Sequence, residues 1–445
     1  MACLRMPFCS PYKLGWPLLA AATSPADRIH RAYARYFWQM HGARPIAKAL
    51  FYGLTWPLPF AYLSWRYTAK LGGAVRAATG KSRLRQAMEQ FKLALCYSIS
   101  PKKYYVLELF RPERLRNARH YIARYEFKGG LHNLLESRIE TPTRRILNDK
   151  VAFFRHCERH GIATIPTFLV VRTNGQCERI GAFEGALPPC DLFLKPANGR
   201  GGIGCERWRW RGDGLYAGQD GAVLGATDLL QRIRDLARAN PMMVQEAMPA
   251  HEDLRDLSLA VLTSCRIMSV KNETGGFEAT HAVFKSSTKQ DAIVDNFHKG
   301  GIVSKVDIEE GVLGPASDAG VRRPCEWLEF HPLSGGRIAG RRLPLWQDTI
   351  DLVLRAHAAF PDRITVGWDV AITTRGPMII EGNVQSGCDM IQRTHNLPAG
   401  IGRLAECYAH HVEEAFRNEI SLAWKIRKGL IPTGTLQTDQ DGALS

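Results

Sequence analysis

The chain has 445 residues, of which 45% are hydrophobic and 23% are charged, so it can form two or three domains and is not a disordered protein. No run of about 18 uncharged apolar residues occurs, and a membrane-spanning helix is therefore not expected. The net charge of +16 comes entirely from the first third, because residues 1–150 hold 26 Lys and Arg against 8 Asp and Glu.

The 11 cysteines are scattered singly, without a CxxC pair or a Cys/His group at zinc-binding spacing. This pattern is typical of reduced cysteines and predicts a cytoplasmic protein. The apolar stretch at residues 15–22 is short and contains Pro17, so we do not expect it to be a cleaved signal peptide.

Residues 1–83 form a basic region that is rich in aromatic residues and has Asp27 as its single acid. We expect it to be mostly helical. Its apolar segment 52–65 cannot be one helix, because Pro57 and Pro59 lack the N–H donors that a helix interior requires. Two interpretations stay open for this region. Its aromatic residues either pack on the rest of the protein or make a peripheral contact with an anionic membrane, at the inner face.

Residues 84–145 are predicted to be a helical preface to the domain that follows. Leu84, Met88, Phe91 and Leu95 recur at helical spacing. A second helix begins near Pro112, which suits a first helical turn. This helix has a basic face, but the chain carries no nucleic-acid-binding motif, so we expect a solvated surface and no nucleic-acid partner.

Residues 146–417 alternate between strands and helices, a pattern typical of a nucleotide-handling α+β or α/β domain. The predicted helices are 149–160, 228–239 and 402–417. The predicted strands are 166–172, 191–196, 242–246, 260–270, 364–373 and 377–381. Residues 433–445 have the composition of a flexible polar tail.

A glycine-rich loop, GRGGIG, occupies residues 199–204 between two predicted strands. A dinucleotide-binding fold would need a helix after this loop, whereas the residues that follow alternate between polar and aromatic types. We therefore expect a hairpin whose backbone N–H groups cover phosphate oxygens, with a plain glycine turn as the alternative. Lys195 ends the preceding strand, where it can meet phosphate charge, and Lys150 is a second candidate.

The most specific motif is the segment 366–384, VGWDVAITTRGPMIIEGNV. As a hairpin that turns at residues 374–376, it places Asp369 opposite Glu381, with Asn383 on the same side. Two carboxylates and an amide oxygen suit Mg²⁺ that is bridged to phosphates. The alternative is an ordinary polar hairpin, which the apolar flanks disfavour because buried carboxylates need a partner.

Two further segments lie between these motifs. Residues 243–249 end an apolar strand and enter a loop, the geometry of a hinge whose backbone reads an adenine edge. Residues 295–301 carry Asn296, His298 and Lys299 beside two glycines. His298 is either an acid or base near neutral pH or a solvated loop histidine.

Taken in order, these motifs resemble the ATP-grasp superfamily. The segments at 149–150 and 193–196 resemble its two nucleotide-binding lysines, residues 199–204 its phosphate loop, and residues 244–246 its adenine hinge. The implied nucleotide-binding residues are Lys150, Lys195, Gly199, Arg200, Gly201, Gly202, Gly204, Val244, Gln245 and Glu246. The implied metal ligands are Asp369, Glu381 and Asn383, and the implied catalytic residues are Arg266, Asn296, His298 and Lys299.

The greatest similarity is to the sugar-transfer-associated ATP-grasp group, over roughly residues 85–415. The shared features are the preface around 99–105, the NDK motif at 148–150 and the stretch VDNFHKGG at 294–301. This stretch is also similar to one in the ribosomal-protein glutamate ligases. The loop at 384–388, VQSGC, departs from the Pro-Gly turn of many ATP-grasp ligases, so the acceptor substrate does not follow from the resemblance.

The resemblance implies an α+β ATP-grasp fold with a glycine-loop subdomain at about 165–243 and a metal-site subdomain at about 244–417. It also implies a ligase that uses ATP and Mg²⁺ to convert a carboxylate into an acylphosphate, from which an amine displaces phosphate. We expect carboxylate and amine substrates from polysaccharide or peptide-conjugate biosynthesis.

Two alternatives to this ligase stay open. A kinase would use the same nucleotide site with a hydroxyl or phosphoryl acceptor and no amine. A nucleotide-binding partner at a membrane surface, without turnover, would use the basic region 1–83.

Overall fold

The computed structural model describes residues 23–40, 43–136, 143–180, 183–199, 202–259, 261–290, 292, 300–318, 320, 325–384 and 386–427. The tail predicted at 433–445 lies outside these residues. The same is true of five candidate site residues, Arg200, Gly201, Asn296, His298 and Lys299.

Among the described residues, the part of the chain before residue 160 is helical, and strands begin at Thr167. The helices are α1 (Pro25–Met40), α2 (Ala43–Thr55), α3 (Pro57–Thr79), α4 (Arg83–Tyr97), α5 (Pro101–Val106), α6 (Pro112–Arg116), α7 (Arg124–Glu126), α8 (His132–Glu136), α9 (Thr143–Asn148), α10 (Lys150–Arg159), α11 (Ala226–Ala237), α12 (Arg255–Ser258), α13 (Trp346–Ala358), α14 (Asp389–Thr394) and α15 (Arg403–Arg427). Among the described helices, none is long and apolar enough to cross a membrane.

The strands are β1 (Thr167–Val171), β2 (Cys177–Arg179), β3 (Leu192–Pro196), β4 (Glu206–Gly212), β5 (Leu215–Gly218), β6 (Val223–Gly225), β7 (Met242–Glu246), β8 (Ser264–Lys271), β9 (Phe277–Ser286), β10 (Ile302–Val306), β11 (Leu313–Ser317), β12 (Thr365–Thr373) and β13 (Gly376–Asn383). They form two antiparallel sheets. One has seven strands in the order β2-β1-β7-β3-β4-β5-β6, and the other has six in the order β11-β10-β9-β8-β12-β13.

Each sheet buries one face against a helix. Leu229 and Ile233 of α11 pack with Trp208 on the seven-stranded sheet, and Leu352 of α13 packs with Trp368 on the six-stranded sheet. The opposite faces of the two sheets are left to form a site between them. These helix-backed antiparallel sheets confirm the predicted α+β class.

The apolar segment at residues 52–65 is interrupted at Trp56, as its two prolines predict. Pro57 begins α3 and Pro59 lies in its first turn, where the N–H groups have no acceptor within the helix. The segment therefore belongs to two helices, α2 and α3.

Helix α4 confirms the helix predicted from residue 84 but has an unexpected orientation. An apolar stripe at helical spacing ordinarily marks the buried side, yet Leu84, Met88, Phe91 and Leu95 are all exposed. The buried side carries Gln86, Gln90, Leu93 and Ala94. Hydrogen bonds offset the burial of the two amides: Gln86 Nε2 donates to the Gly72 carbonyl at 3.0 Å, and Gln90 Nε2 donates to Thr68 Oγ1 at 3.0 Å.

A buried ion network connects the helical preface to the six-stranded sheet. Glu108, which is fully buried, accepts hydrogen bonds from Arg393 Nη1 at 2.9 Å, Arg111 Nε at 2.6 Å and Trp327 Nε1 at 3.0 Å. Burial would raise the pKa of Glu108, but Arg393 and the other arginines hold it below its usual range. Arg393 lies on α14, directly after the acidic hairpin, so this network joins the preface to the chain next to the site.

Replacing Glu108 with alanine should destabilise the fold strongly, because the buried guanidinium of Arg393 would lose its counter-charge. Loss of one partner of a buried ion pair costs about 3 to 5 kcal/mol, so the thermal unfolding midpoint should fall by several degrees. Differential scanning fluorimetry measures this shift. Glu158→Ala, which removes an exposed acid, is the control. Equal midpoints for the two variants would contradict the assigned role of Glu108.

Candidate functional site

A cleft of about 920 Å³ lies between the two sheets. Its lining contains most of the candidate residues that the structure describes: Lys150, Lys195, Gly199, Gly202, Gln245, Glu246, Arg266, Asp369, Glu381 and Asn383. Val244 and Gly204 do not line it, and the Val244 side chain is buried in the core of the seven-stranded sheet. Residues that are up to 233 positions apart in the sequence therefore share one cavity.

Four neighbouring strands of the six-stranded sheet each contribute one charged residue to the cleft. Asp369 on β12 is paired across the sheet with Glu381 on β13 and with Arg266 on β8. Lys285 on β9 is paired with Ser264, two residues before Arg266, and so lies on the same face. The order across the sheet is Lys285, Arg266, Asp369 and Glu381, two positive charges followed by two negative ones.

Asp369 is the most strongly bound member of this row. Arg266 contacts both of its carboxylate oxygens, with Nε at 2.5 Å and Nη2 at 2.8 Å, and Lys285 Nζ lies 3.2 Å away. Burial would raise the pKa of Asp369, but Arg266 and Lys285 hold it well below its usual range. Asp369 is therefore a carboxylate at any physiological pH.

The two strands of the acidic hairpin have the predicted register, and Glu381 and Asn383 lie on the same side of β13. Gly382, between them, faces the other way and packs so closely that a Cβ there would lie 2.6 Å from Leu147 Cδ2 and 2.9 Å from Trp368 Cζ3. This packing explains why glycine separates the two polar residues and why both are directed into the cleft.

The donor set of this hairpin fits a divalent cation that prefers oxygen ligands. Glu381 offers a carboxylate and Asn383 an amide oxygen, while Asn383 Nδ2 donates to Glu381 Oε1 at 3.2 Å. Asp369 differs from the expectation, because both of its oxygens already accept hydrogen bonds from Arg266 and Lys285. Glu381 and Asn383 are therefore the residues best suited to hold Mg²⁺, and Asp369 would have to share its oxygens with two cations.

Lys195 faces this row from the seven-stranded sheet. It lies on β3 with only 8% of its surface exposed. Burial lowers its pKa to about 8, although Glu381 acts in the opposite direction. The side chain consequently changes its charge in a pH range where the protein is expected to be folded.

The glycine loop joins β3 to β4 as an antiparallel hairpin, as predicted, with Leu194 paired to Glu206. Gly202 and Gly204 have φ angles of +70° and +75°, which favour glycine. Lys150 Nζ donates to the Gly199 carbonyl at 2.8 Å and to the Ala197 carbonyl at 3.2 Å. The ammonium group of Lys150 therefore holds the start of the loop in place.

The predicted hinge, residues 243–249, spans the end of β7 and the loop that follows it. Gln245 Nε2 donates to Thr167 Oγ1 at 2.8 Å, and Glu246, Ala247 and Met248 line the cleft. Arg375, at the turn of the acidic hairpin, forms an ion pair with Glu246. The hinge on one sheet is thus connected to the acidic hairpin on the other.

Sequence reasoning missed several cleft residues, namely Lys128, Arg144, Arg207 and Lys285. For Lys285 a signal was present. It follows the apolar run Ala-Val-Phe at 282–284, and a lysine at the end of an apolar strand is the same pattern that identified Lys195.

Comparison with known proteins gives one family. A family profile described as sugar-transfer associated ATP-grasp matches residues 133–398. Curated proteins include no match to this chain.

Similar solved structures are distant. An L-amino acid ligase from Bacillus licheniformis is 12% identical with a TM-score of 0.34, over 62% of this chain and 51% of the ligase. A D-alanine–D-alanine ligase from Bacillus anthracis is 11% identical with a TM-score of 0.32, over 62% and 70% of the two chains. A D-alanyl-alanine synthetase A from Vibrio cholerae is 10% identical with a TM-score of 0.35, over 61% and 66%. This chain thus spans about half the length of the L-amino acid ligase.

Replacing Lys150 with methionine should loosen the glycine loop, because the carbonyls of Ala197 and Gly199 would lose their donor. We expect faster amide exchange over residues 197–205 in hydrogen–deuterium exchange mass spectrometry, with little change elsewhere. Lys271→Met is a matched control, since Lys271 Nζ also donates to a backbone carbonyl, that of Pro361, at 3.1 Å. Unchanged exchange in the loop of Lys150→Met would contradict this role.

Proposed function

Because this chain belongs to the sugar-transfer-associated ATP-grasp family, we propose that it is an ATP- and Mg²⁺-dependent ligase that joins a carboxylate to an amine. The proposal rests on one observation: two charged surfaces face each other across one cleft. Lys195, Lys150 and the glycine loop lie on one side, and the row from Lys285 to Glu381 lies on the other. Such a cleft can hold a polyphosphate and a cation together.

The nucleotide would lie with its phosphates against Lys195 and under the glycine loop, and with adenine at the hinge beyond Glu246. The loop contributes backbone N–H groups, and the lysine contributes a buried positive charge. Lys150 holds the loop by its carbonyls, so we assign it a positioning role in addition to its charge.

Glu381 and Asn383 would hold Mg²⁺, which when bound offsets phosphate charge and orients the transferring group. The Arg266–Asp369–Lys285 group lies beside them. In this proposal, Arg266 and Lys285 stabilise the negative charge that develops on the transferring phosphoryl group, and Asp369 keeps both side chains in place.

The proposed reaction has two steps. An oxygen of the substrate carboxylate attacks the γ-phosphorus, the bond to the β–γ bridging oxygen breaks, and ADP leaves with that electron pair. The amine then attacks the acyl carbon of the acylphosphate, phosphate leaves, and the amine gives up a proton. This chemistry needs no side-chain nucleophile; positioning and charge stabilisation are enough.

In this proposal the acceptor substrate binds beside two basic residues of the cleft. Lys128 and Arg144, from the preface and from α9, line the same cleft and would favour acidic substrates. Asn296, His298 and Lys299 remain predicted catalytic residues. A role in polysaccharide or peptide-conjugate biosynthesis is our expectation, supported by the sugar-transfer association that the family description states.

A combined Glu381→Ala and Asn383→Ala variant tests the proposed ligase. With the native chain, ADP and phosphate should appear only when ATP, Mg²⁺, a carboxylate and an amine are all present, and screening pooled carboxylates and amines identifies the pair. The variant should lose at least about 100-fold in rate, because loss of a single charge-stabilising group in an active site costs about that much. Glu309→Ala, which removes an exposed acid, is the control.

Two results would contradict these assignments. Full activity in the double variant would show that Glu381 and Asn383 do not bind the metal ion required for the reaction. If mass spectrometry detects a phosphorylated product and no condensation product, the protein is a kinase and not a ligase.

The pKa of Lys195 predicts how nucleotide affinity depends on pH. The pKa of Lys195 is about 8, so in the free protein this side chain is a charged ammonium at lower pH and loses its charge at higher pH. ADP binding should therefore weaken as the pH rises above 8, by up to about tenfold per pH unit. Arginine stays charged throughout this range, so Lys195→Arg should bind with a flatter profile.

Isothermal titration calorimetry with ADP between pH 7.5 and 9.5 makes this measurement. Lys271→Arg is the control, because Lys271 does not line the cleft. Parallel profiles for the native chain and Lys195→Arg would show that Lys195 does not control the pH dependence.

A further inference from the structure

The helices that precede the ATP-grasp core present an apolar surface to solvent, away from the cleft. Its most exposed members on α3 and α4 are Leu58, Trp65, Leu84 and Met88, with 75%, 69%, 72% and 65% of their surfaces exposed. Its full membership on these two helices, here called the outer face, is Leu58, Tyr62, Trp65, Leu84, Met88, Phe91 and Leu95. Large apolar side chains gathered in this way on one surface mark a contact site.

The outer face spans α3 and α4, which pack side by side. On α3, Leu58, Tyr62 and Trp65 follow helical spacing and lie opposite the buried residues Phe60 and Leu71. The four apolar residues of α4 likewise lie opposite its buried glutamines. The ring of Trp56, the residue before α3, stacks on the ring of Phe91 of α4, with ring centroids 5.7 Å apart.

The outward orientation of the apolar stripe is fixed by the polar contacts beneath it. Gln90 Nε2 also contacts the Tyr105 hydroxyl at 3.1 Å, so both glutamines are held by hydrogen bonds to α3 or α5. Turning α4 to bury Leu84 and Leu95 would break these bonds and leave the partners unsatisfied. These hydrogen bonds therefore fix the orientation of α4 in which the apolar stripe is exposed.

The charge around the outer face is strongly positive. Residues 43–97, which span α2 to α4, contain nine Lys and Arg and a single acid, Glu89. That acid is directed inward, where it accepts hydrogen bonds from Lys81 Nζ at 2.7 Å and the Tyr104 hydroxyl at 2.7 Å. Arg66, Lys70 and Lys92 are exposed and flank the apolar stripes.

We propose that the outer face of α3 and α4 docks in the plane of an anionic lipid bilayer. Apolar residues would enter the boundary between headgroups and acyl chains, Tyr62 and Trp65 would lie at the interface, and the flanking cations would contact acidic headgroups. Charge argues against a second copy of this chain as the occupant, because two such faces would bring like charges together. This docking goes beyond the proposed ligase activity and does not depend on it.

Vesicle co-sedimentation of the full chain tests the proposal. The chain should bind vesicles of phosphatidylcholine with 30% phosphatidylglycerol more strongly than pure phosphatidylcholine vesicles, and added salt should weaken the binding. The combined variant Leu58→Gln, Trp65→Gln, Leu84→Gln and Met88→Gln should lower the partition coefficient by at least about tenfold. Because these side chains are exposed, the variant should fold normally.

Two further variants separate apolar from electrostatic binding. The matched control Val223→Gln, Phe330→Gln, Leu333→Gln and Leu397→Gln removes four exposed apolar side chains from elsewhere and should bind like the native chain. Arg66→Gln with Lys70→Gln and Lys92→Gln should reduce the preference for the anionic vesicles. Unchanged thermal midpoints confirm that each variant is folded.

Three outcomes would overturn the proposal. The first is that the native chain does not bind anionic vesicles. The second is that the outer-face variant and the matched control lose binding equally. The third is that the native chain forms a dimer that the outer-face variant abolishes while neither binds vesicles, which would make the outer face an interface between copies. A loss of ligase activity in the Glu381→Ala and Asn383→Ala variant leaves all three readouts unaffected.

Discussion

The ion pair between Arg266 and Asp369 allows the six-stranded sheet to carry buried charge on its cleft side. The two residues are cross-strand neighbours, so the backbone register itself brings the guanidinium to both carboxylate oxygens. Lys285 adds a second cation from the next strand. Burying one of these cations or the carboxylate without its partners would cost several kcal/mol of free energy, on the order of what the loss of a buried ion-pair partner costs. Together they form a charged floor beside Glu381 and Asn383, the two residues that we propose hold the metal ion.

The cleft also depends on contacts between elements that are distant in the sequence. Lys150 holds the start of the glycine loop, and the ion pair of Arg375 with Glu246 ties the hinge to the tip of the acidic hairpin. Behind the site, Glu108 and Arg393 join the helical preface to α14. The preface is therefore connected to the chain that follows the acidic hairpin, and its residue Lys128 lines the cleft.

The acidic hairpin and the glycine loop of the cleft could be predicted from the sequence, because both are built from local patterns. The register of Asp369 with Glu381 follows from a short hairpin, and the glycine loop is bounded by two recognisable strands. The strands and helix between residues 271 and 363 escaped prediction, and with them Lys285, because only long-range pairing identifies that lysine as a neighbour of Arg266. Two partners of Glu108, Trp327 and Arg393, likewise lie more than 200 positions away in the sequence.

Helix α4 has a consequence for how substitutions in this chain should be interpreted. A design rule that assigns apolar stripes to the interior would protect Leu84 and Met88 and would replace Gln86 and Gln90 with leucine. The contacts indicate that Gln86 and Gln90 tolerate substitution poorly, because specific hydrogen bonds hold them. The side of α4 that carries Leu84 and Met88 is exposed and should tolerate substitution better. Natural variation that keeps the fold should therefore accumulate on the apolar side of α4, within whatever limit its outer contact sets.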